Sequence, residues 1–337
     1  MRRSLPSVDE FVQGIRTGNR VVLGQAITLV ESARPEHLEL AREVIARLLQ
    51  QAPSDAAPPT LRIAVTGAPG VGKSTFIEAL GAHLTGLGHR IAVLAIDPTS
   101  SVSKGSILGD KTRMEQLSVD ENAFIRPSPS GDSLGGVARK TRETILLVEA
   151  AGYDTVIIET VGVGQSEIAA HSMTDVFLLL LLPGAGDELQ GIKRGIVEMA
   201  DILAVNKADG ERVKLANQAR AHYINATHLL PPRASGWAPR VLACSAEQGT
   251  GVGEIWQSIQ NFKSHTLANG FFRENRRRQA GHWLQDALLA GLKTTFFNDP
   301  AVRDKLGALE PQVLAGSMSP FAAAEQVLGV FKAHLKL

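Results

Sequence analysis

Residues 61–84 read LRIAVTGAPGVGKSTFIEALGAHL. Within them GAPGVGKS, Gly67 to Ser74, fits the spacing G-x-x-x-x-G-K-[ST]. An apolar run of strand character (61–66) precedes it, and amphipathic helical spacing (75–84) follows. That order predicts a strand, a glycine-rich turn and a helix whose positive end faces the turn, the arrangement that cradles phosphates. Gly67, Gly70 and Gly72 allow backbone amides to fold into a concave nest where a Cβ would block approach. Ala68, Pro69, Val71 and Thr75 complete the loop and its exit. Lys73 is placed to neutralise β- and γ-phosphate charge, and the Ser74 hydroxyl to ligate Mg²⁺.

Outward from this stretch the texture is constant for some 200 residues. Apolar runs RIAVLAID, TVIIET, VFLLLLL, ILAVNK and RVLACSA alternate with helical segments. Strands apolar on both faces belong to a sheet covered on both sides, so the expected fold class is α/β: a doubly wound, mainly parallel sheet. Residues 7–51 show helical spacing punctuated by Gly18 and Pro35, and predict three helices. APSDAAPPT (52–60) reads as a linker. From about Val252 the pattern is helical again, with segments beginning after Pro300, Pro311 and Pro320. The expected organisation is an N-terminal helical arm at 1–55, a P-loop nucleotide-binding domain at 56–265 and a C-terminal helical arm at 266–337.

Composition sets bounds. The 337 residues are 44% hydrophobic and 20% charged, with 35 Lys and Arg against 34 Asp and Glu, a net charge of +1. That balance supplies no field to draw the chain onto nucleic acid. One cysteine, Cys244, excludes an internal disulfide and any cysteine-rich zinc site, and points to a reducing, cytoplasmic compartment. The apolar run Val176 to Leu182 is far shorter than the ~20 residues a bilayer span needs, and reads as a buried strand. No membrane association is expected. RENRRR (273–278) reads as a solvated helix face or an intersubunit ion-pair patch.

NKAD, Asn206 to Asp209, closes the run 202–205. A carboxylate there accepts from guanine N1–H and N2–H₂, a donor pair that adenine lacks. Asn206 can tie this loop to the phosphate loop, and the Lys207 stem can cover the purine face. SAE, Ser245 to Glu247 with Ala246 between them, follows 240–243 and fits a loop whose backbone amide meets the guanine oxygen. Asp97 and Glu159 end strands, and Asp110 lies in the loop after Asp97. Carboxylates at such strand ends point into the phosphate crevice, where Mg²⁺ needs only one or two of them beside Ser74 and the phosphates. Lys73, Asp97, Asp110 and Glu159 are thus the candidate catalytic residues. Which of the three acids ligates Mg²⁺ directly stays open.

DPTSSVSKGSILGDKTRM (97–114), RPSPSGDSLGGVARKT (126–141), ETVGVGQSE (159–167) and GDELQGIK (186–193) closely resemble the MeaB/MMAA (ArgK-like) family of P-loop GTPases. The likeness covers nearly the whole chain. It implies a GTPase, cycling between GTP and GDP with Mg²⁺, that chaperones an adenosylcobalamin-dependent acyl-CoA mutase, usually methylmalonyl-CoA mutase. Adenosylcobalamin would enter only through that partner, delivered by a cobalamin adenosyltransferase. The resemblance also implies a switch around GDELQGIK, with Gln190 in it and Lys193 as coupling residue, and a homodimer through the C-terminal region. Gln165, not the residue after Gly162, is the nearest glutamine to the ETVG turn, so intrinsic hydrolysis is expected to be slow and partner-stimulated. A P-loop kinase or ATPase of transport type and a nickel-insertion GTPase are the competing readings. The nine histidines show no ligand spacing that would favour the second.

Overall fold

The structure, a computed structural model, describes residues 5–51, 59–96, 114–127, 134–160, 166–184 and 194–334. It divides into two compact units, Met1–Gln279 and Ala280–Leu337.

The first unit opens with three helices, α1 (Val8–Arg16), α2 (Arg20–Glu31) and α3 (Pro35–Gln50). Each start has a local cause. Ser7 and Glu10 form a reciprocal capping box, the Asn19 side chain accepts from the amides of Val21 and Val22, and Pro35 occupies the first turn, where no amide is needed. Gly18, at φ 72°, separates the first two.

Seven strands follow among the described residues: β1 (Leu61–Gly67), β2 (Ile91–Ile96), β3 (Ala123–Arg126), β4 (Thr155–Thr160), β5 (Val176–Leu181), β6 (Ile202–Val205) and β7 (Arg240–Ala243). Their order in the sheet is β3-β2-β4-β1-β5-β6-β7, and every pairing is parallel. The expected α/β class holds, with the sheet wholly rather than mainly parallel. β3 is an addition to the six strands read from the sequence. It is four residues long and lies at the sheet edge, as β7 does, but its apolar run stops at Ile125, whereas that of β7 continues through Cys244.

The first, third and fifth residues of β1, Leu61, Ile63 and Val65, share a core with Val93, Ile157, Leu178 and Ile202 of neighbouring strands. Phe76, Ile77 and Leu80 of α4 (Lys73–Gly86) and Ile255, Ile259 and Phe262 of α10 (Val252–Ala268) close that core. Alternate residues such as Ala64, Val156 and Phe177 are buried too, as strands covered on both faces require. Between α4 and α10 the chain forms α5 (Glu115–Val119), α6 (Leu134–Ala150), α7 (Ser166–His171), α8 (Arg194–Met199) and α9 (Val213–His228). β1 lies between β4 and β5, so the chain's crossovers part on either side of it and leave a crevice beyond its carboxyl end.

α11 (Phe271–Asn298) begins in the first unit and continues into the second, followed by α12 (Pro300–Leu314) and α13 (Pro320–His334). The second unit has its own core of Val302, Leu309, Ala323 and Val327, with Phe296 and Phe331 packed against it. Pro311 does not begin a new segment as the sequence suggested; it lies inside α12. Gly307, whose carbonyl loses its partner there, and Pro311 itself are exposed, which leaves that carbonyl open to solvent. Among the described residues no helix is long and apolar enough to cross a membrane.

Candidate functional site

β1 ends at Gly67 and α4 begins at Lys73, so the glycine-rich turn lies at the head of the crevice. Two glycines are there for steric reasons. A Cβ on Gly67, at φ 151°, would lie 2.6 Å from the Leu180 carbonyl oxygen of β5; one on Gly72, at φ 92°, would lie 2.9 Å from Asn206 Nδ2. Lys73 Nζ donates to the carbonyl oxygens of Gly67 at 2.8 Å and Ala68 at 3.3 Å. Burial lowers the pKa of its ammonium, while Glu159 and Glu167 pull in the other direction. A cation part-stripped of water at a helix N-terminus, held by loop carbonyls that it can exchange for a ligand, is suited to an anion.

Ser74 Oγ donates to Glu159 Oε1 at 2.9 Å. Glu159 sits near the end of β4, in register with Val65 and Ala95 of its two neighbours, and is 6% exposed. A hydroxyl and a carboxylate brought together beside a phosphate-type loop fit a hard divalent cation that takes its remaining ligands from phosphate and water. Among the described residues, Ser74 and Glu159 are the ones that could hold Mg²⁺. No group of three or more His, Cys, Asp or Glu placed to hold a metal occurs among the described residues. Asp97, Asp110, Gly162, Gln165, Gln190 and Lys193 lie outside the described residues. Behind Ser74 the hydroxyls of Thr160 and Thr66 bond at 2.8 Å, fastening β4 to β1 directly beneath the turn.

Asn206 follows β6 and is 1% exposed. Its Nδ2 donates to the Val71 carbonyl at 2.9 Å, and its Oδ1 accepts from the Ala246 amide at 3.0 Å. One side chain therefore joins the phosphate-type loop to the loop after β7. Cys244, the lone cysteine, places Sγ 3.6 Å from the same Oδ1. Burial pushes its thiol up to about 12, so it is a protonated weak donor and not a nucleophile. Lys207, at φ 58°, is the sole non-glycine residue of positive φ among those described; its Nζ donates to the Gly70 carbonyl at 2.7 Å.

Asp209 stands beyond Lys207. Ser245 Oγ donates to its Oδ2 at 2.6 Å, and the Arg212 guanidinium pairs with its Oδ1. These two contacts, the hydroxyl first, hold the carboxyl below its ordinary pKa. Ser245 also accepts from the Gln248 amide at 3.2 Å, while Glu247 is exposed. The Ser245 hydroxyl, Arg212 and the fully buried Glu167 are site features that motif reading missed. Glu167 was visible within ETVGVGQSE, but nothing in spacing alone marks its charge as acting on Lys73.

A wholly parallel sheet, a lysine-bearing glycine turn at its central strand and an Asn-Lys-x-Asp loop two strands away define a P-loop nucleoside triphosphatase. Comparison with known proteins carries this further. Residues 23–300 match the family described as "Methylmalonyl Co-A mutase-associated GTPase MeaB". The chain is 48% identical to the probable GTPase Rv1496 of Mycobacterium tuberculosis, over 96% of this chain and 95% of that one. It is 45% identical to the mouse protein named methylmalonic aciduria type A homolog, mitochondrial, over 97% of this chain and 80% of the other. A crystal structure described as an LAO/AO transport system kinase superposes with a TM-score of 0.74 at 36% identity, covering 98% of this chain and all of that one. The chain belongs to the MeaB family of GTPases.

Proposed function

We propose that this chain binds GTP and GDP with Mg²⁺ in the crevice beyond β1, hydrolyses GTP, and uses the cycle to gate adenosylcobalamin loading into a B12-dependent acyl-CoA mutase and to protect that enzyme. Methylmalonyl-CoA mutase is the client that the family description favours. Asn206 carries the nucleotide reading. By bonding Val71 on one side and Ala246 on the other, it fixes a phosphate-type loop and a base-type loop at one separation. Gly67 to Thr75 receive the phosphates, with Lys73 holding their charge. Asp209 accepts from the guanine edge, Lys207 covers its face, and the Ser245–Ala246–Glu247 turn meets its oxygen. When bound, Mg²⁺ screens the β- and γ-phosphate charge; Ser74 and Glu159 orient toward it, and Asp97 and Asp110 complete the acidic set. The intrinsic rate is slow, and the mutase raises it through the switch that carries Gln190 and Lys193. The protein acts in the cytoplasm as a homodimer and exchanges cofactor with a cobalamin adenosyltransferase.

Calorimetry with GDP and ADP tests the base assignment. GDP is expected to bind on the order of 100-fold tighter, because adenine would leave the Asp209 carboxylate unpaired; equal affinities would remove the guanine reading. The kinase description of the related crystal structure favours a second reading, phosphoryl transfer from ATP, and the same titration decides against it or for it. For the partner, purified methylmalonyl-CoA mutase is expected to accelerate GTP hydrolysis, and Lys193→Ala to abolish the acceleration while GDP affinity stays intact. A mutase that neither binds nor stimulates ends the chaperone assignment.

A further inference from the structure

Arg212 closes the short 3-10 turn Gly210–Arg212, and its backbone amide donates to the Asp209 carbonyl at 3.0 Å. The turn brings its guanidinium back onto Asp209 Oδ1, the carboxylate oxygen that Ser245 leaves open. Together they cover the acid: its side chain is 10% exposed, against 47% for that of Arg212. The chemistry of the cover is specific. Guanine presents N1–H and N2–H₂ around C2, a planar guanidine unit, and an arginine head group presents the same planar donors. Arg212 therefore offers Asp209 what the base would offer it.

Its other contacts decide whether it is a tie or a plug. Arginines that tie this fold together bind several groups: Arg233 donates to Asp201 and to the carbonyls of Met199 and Glu198, and Arg276 to Asp175 and to the Thr60 carbonyl. Arg212 has Asp209 as its one side-chain partner among the described residues. It can leave without orphaning anything except the carboxylate that the base then satisfies. From this geometry we infer that Arg212 is a plug of the base site: it occupies the guanine acceptor of the nucleotide-free protein, and an entering base must displace it. Every base that enters pays that same displacement, so the plug weakens and slows guanine and adenine alike and leaves their ratio to the donor pair that only guanine offers Asp209.

The inference rests on Asp209 being the guanine acceptor, and its test separates the two. Asp209→Asn should weaken GDP and favour xanthosine diphosphate, whose C2 oxygen accepts from the new amide; if it leaves GDP affinity and base preference unchanged, the guanine assignment itself fails. Arg212→Ala, measured by stopped-flow with a fluorescent GDP analogue, should speed association and lower Kd by about two- to fivefold, the scale on which exposed ion pairs act. ADP should gain by the same factor, so the margin between GDP and ADP should stay as it is. The gap between native protein and Arg212→Ala should narrow as salt is raised from 0.05 to about 1 M, where screening shortens to ~3 Å. Weaker or unchanged GDP binding in Arg212→Ala, with Asp209→Asn behaving as expected, would show that Arg212 supports the acid instead of blocking it, and would overturn the plug.

Discussion

Asn206 uses both ends of one buried amide on backbone groups of two different loops, the Val71 carbonyl and the Ala246 amide. Truncation to alanine strands both, each at about 1–3 kcal/mol, and frees the loops to drift apart. Asn206→Ala is therefore expected to lower GDP affinity by roughly 10- to 100-fold, in the range of one or two lost hydrogen bonds, with a lower unfolding midpoint. Calorimetry and thermal denaturation read the two effects, and native affinity in the variant would deny Asn206 its bridging role. Asp201 offers a different residue-scale test. It accepts from the Phe177 amide at 2.9 Å and from Arg233 at 3.0 Å, yet burial dominates and raises its pKa from 3.8 to about 6. A carboxyl easier to ionise unfolded than folded contributes most at low pH, and that contribution is lost as pH rises from about 4 to 6. The loss approaches about 3 kcal/mol. Asp201→Asn keeps an acceptor for Phe177 and cannot ionise, so its denaturation free energy should fall less across that window than the native protein's. Parallel curves would refute the shift. Much of the site was legible residue by residue, because GAPGVGKS and NKAD fix their own geometry within a few positions. Ser245 reaching Asp209 across 36 positions was not, since only the folded loops bring their side chains together.

At the scale of elements, five of the six strands read from the sequence, β1, β2, β4, β5 and β6, are buried at every position, and β7 was read because its apolar run continues past the strand through Cys244. β3 escaped because the apolar run in AFIR is only three residues and stops at Arg126 and Pro127. What fixes its end is distant: Arg126 forms a forked pair with Glu31 of α2. The basic run 273–278 was misread in one position for a similar reason. Arg273, Arg277 and Arg278 are exposed, but Arg276 turns inward. Its Nε donates to Asp175 Oδ1 at 2.8 Å and Nη2 to Oδ2 at 2.7 Å, while Asp175 also accepts from the Arg62 amide. Three residues later, still on α11, Gln279 donates to the Thr174 carbonyl at 2.7 Å. The beginning of α11 is thus fastened to the lead-in of β5. Arg276→Met would leave an Asp175 side chain that is only 2% exposed without its cation. A cost of about 3 kcal/mol or more is expected, roughly 5–10 °C in melting temperature. Adding Asp175→Asn should recover part of it, and independent, additive losses would mean the pair is not what holds the helix.

Over the whole molecule, the crevice and every described residue assigned to nucleotide belong to the first unit, Met1–Gln279. The second unit buries a core of its own, yet its α11 residues keep leucines in water. Leu284, Leu288, Leu289 and Leu292 are 62%, 58%, 64% and 63% exposed. Positions 284, 288 and 292 repeat every fourth residue, so they form one row along the helix, with Leu289 beside it. Scattered exposed leucines are ordinary, but four in nine residues on one stripe form a patch of the kind that marks an interface. A second copy of this row is the occupant that fits the proposed homodimer, since a two-fold contact sets the same residues against each other. Leu288→Glu with Leu292→Glu would set like charges across that contact, whereas in a monomer both carboxylates would simply be hydrated. Sedimentation is expected to show a dimer for the native chain and a monomer for the double variant, with GDP affinity unchanged. A native monomer, or a variant that still dimerises, would move the seam elsewhere.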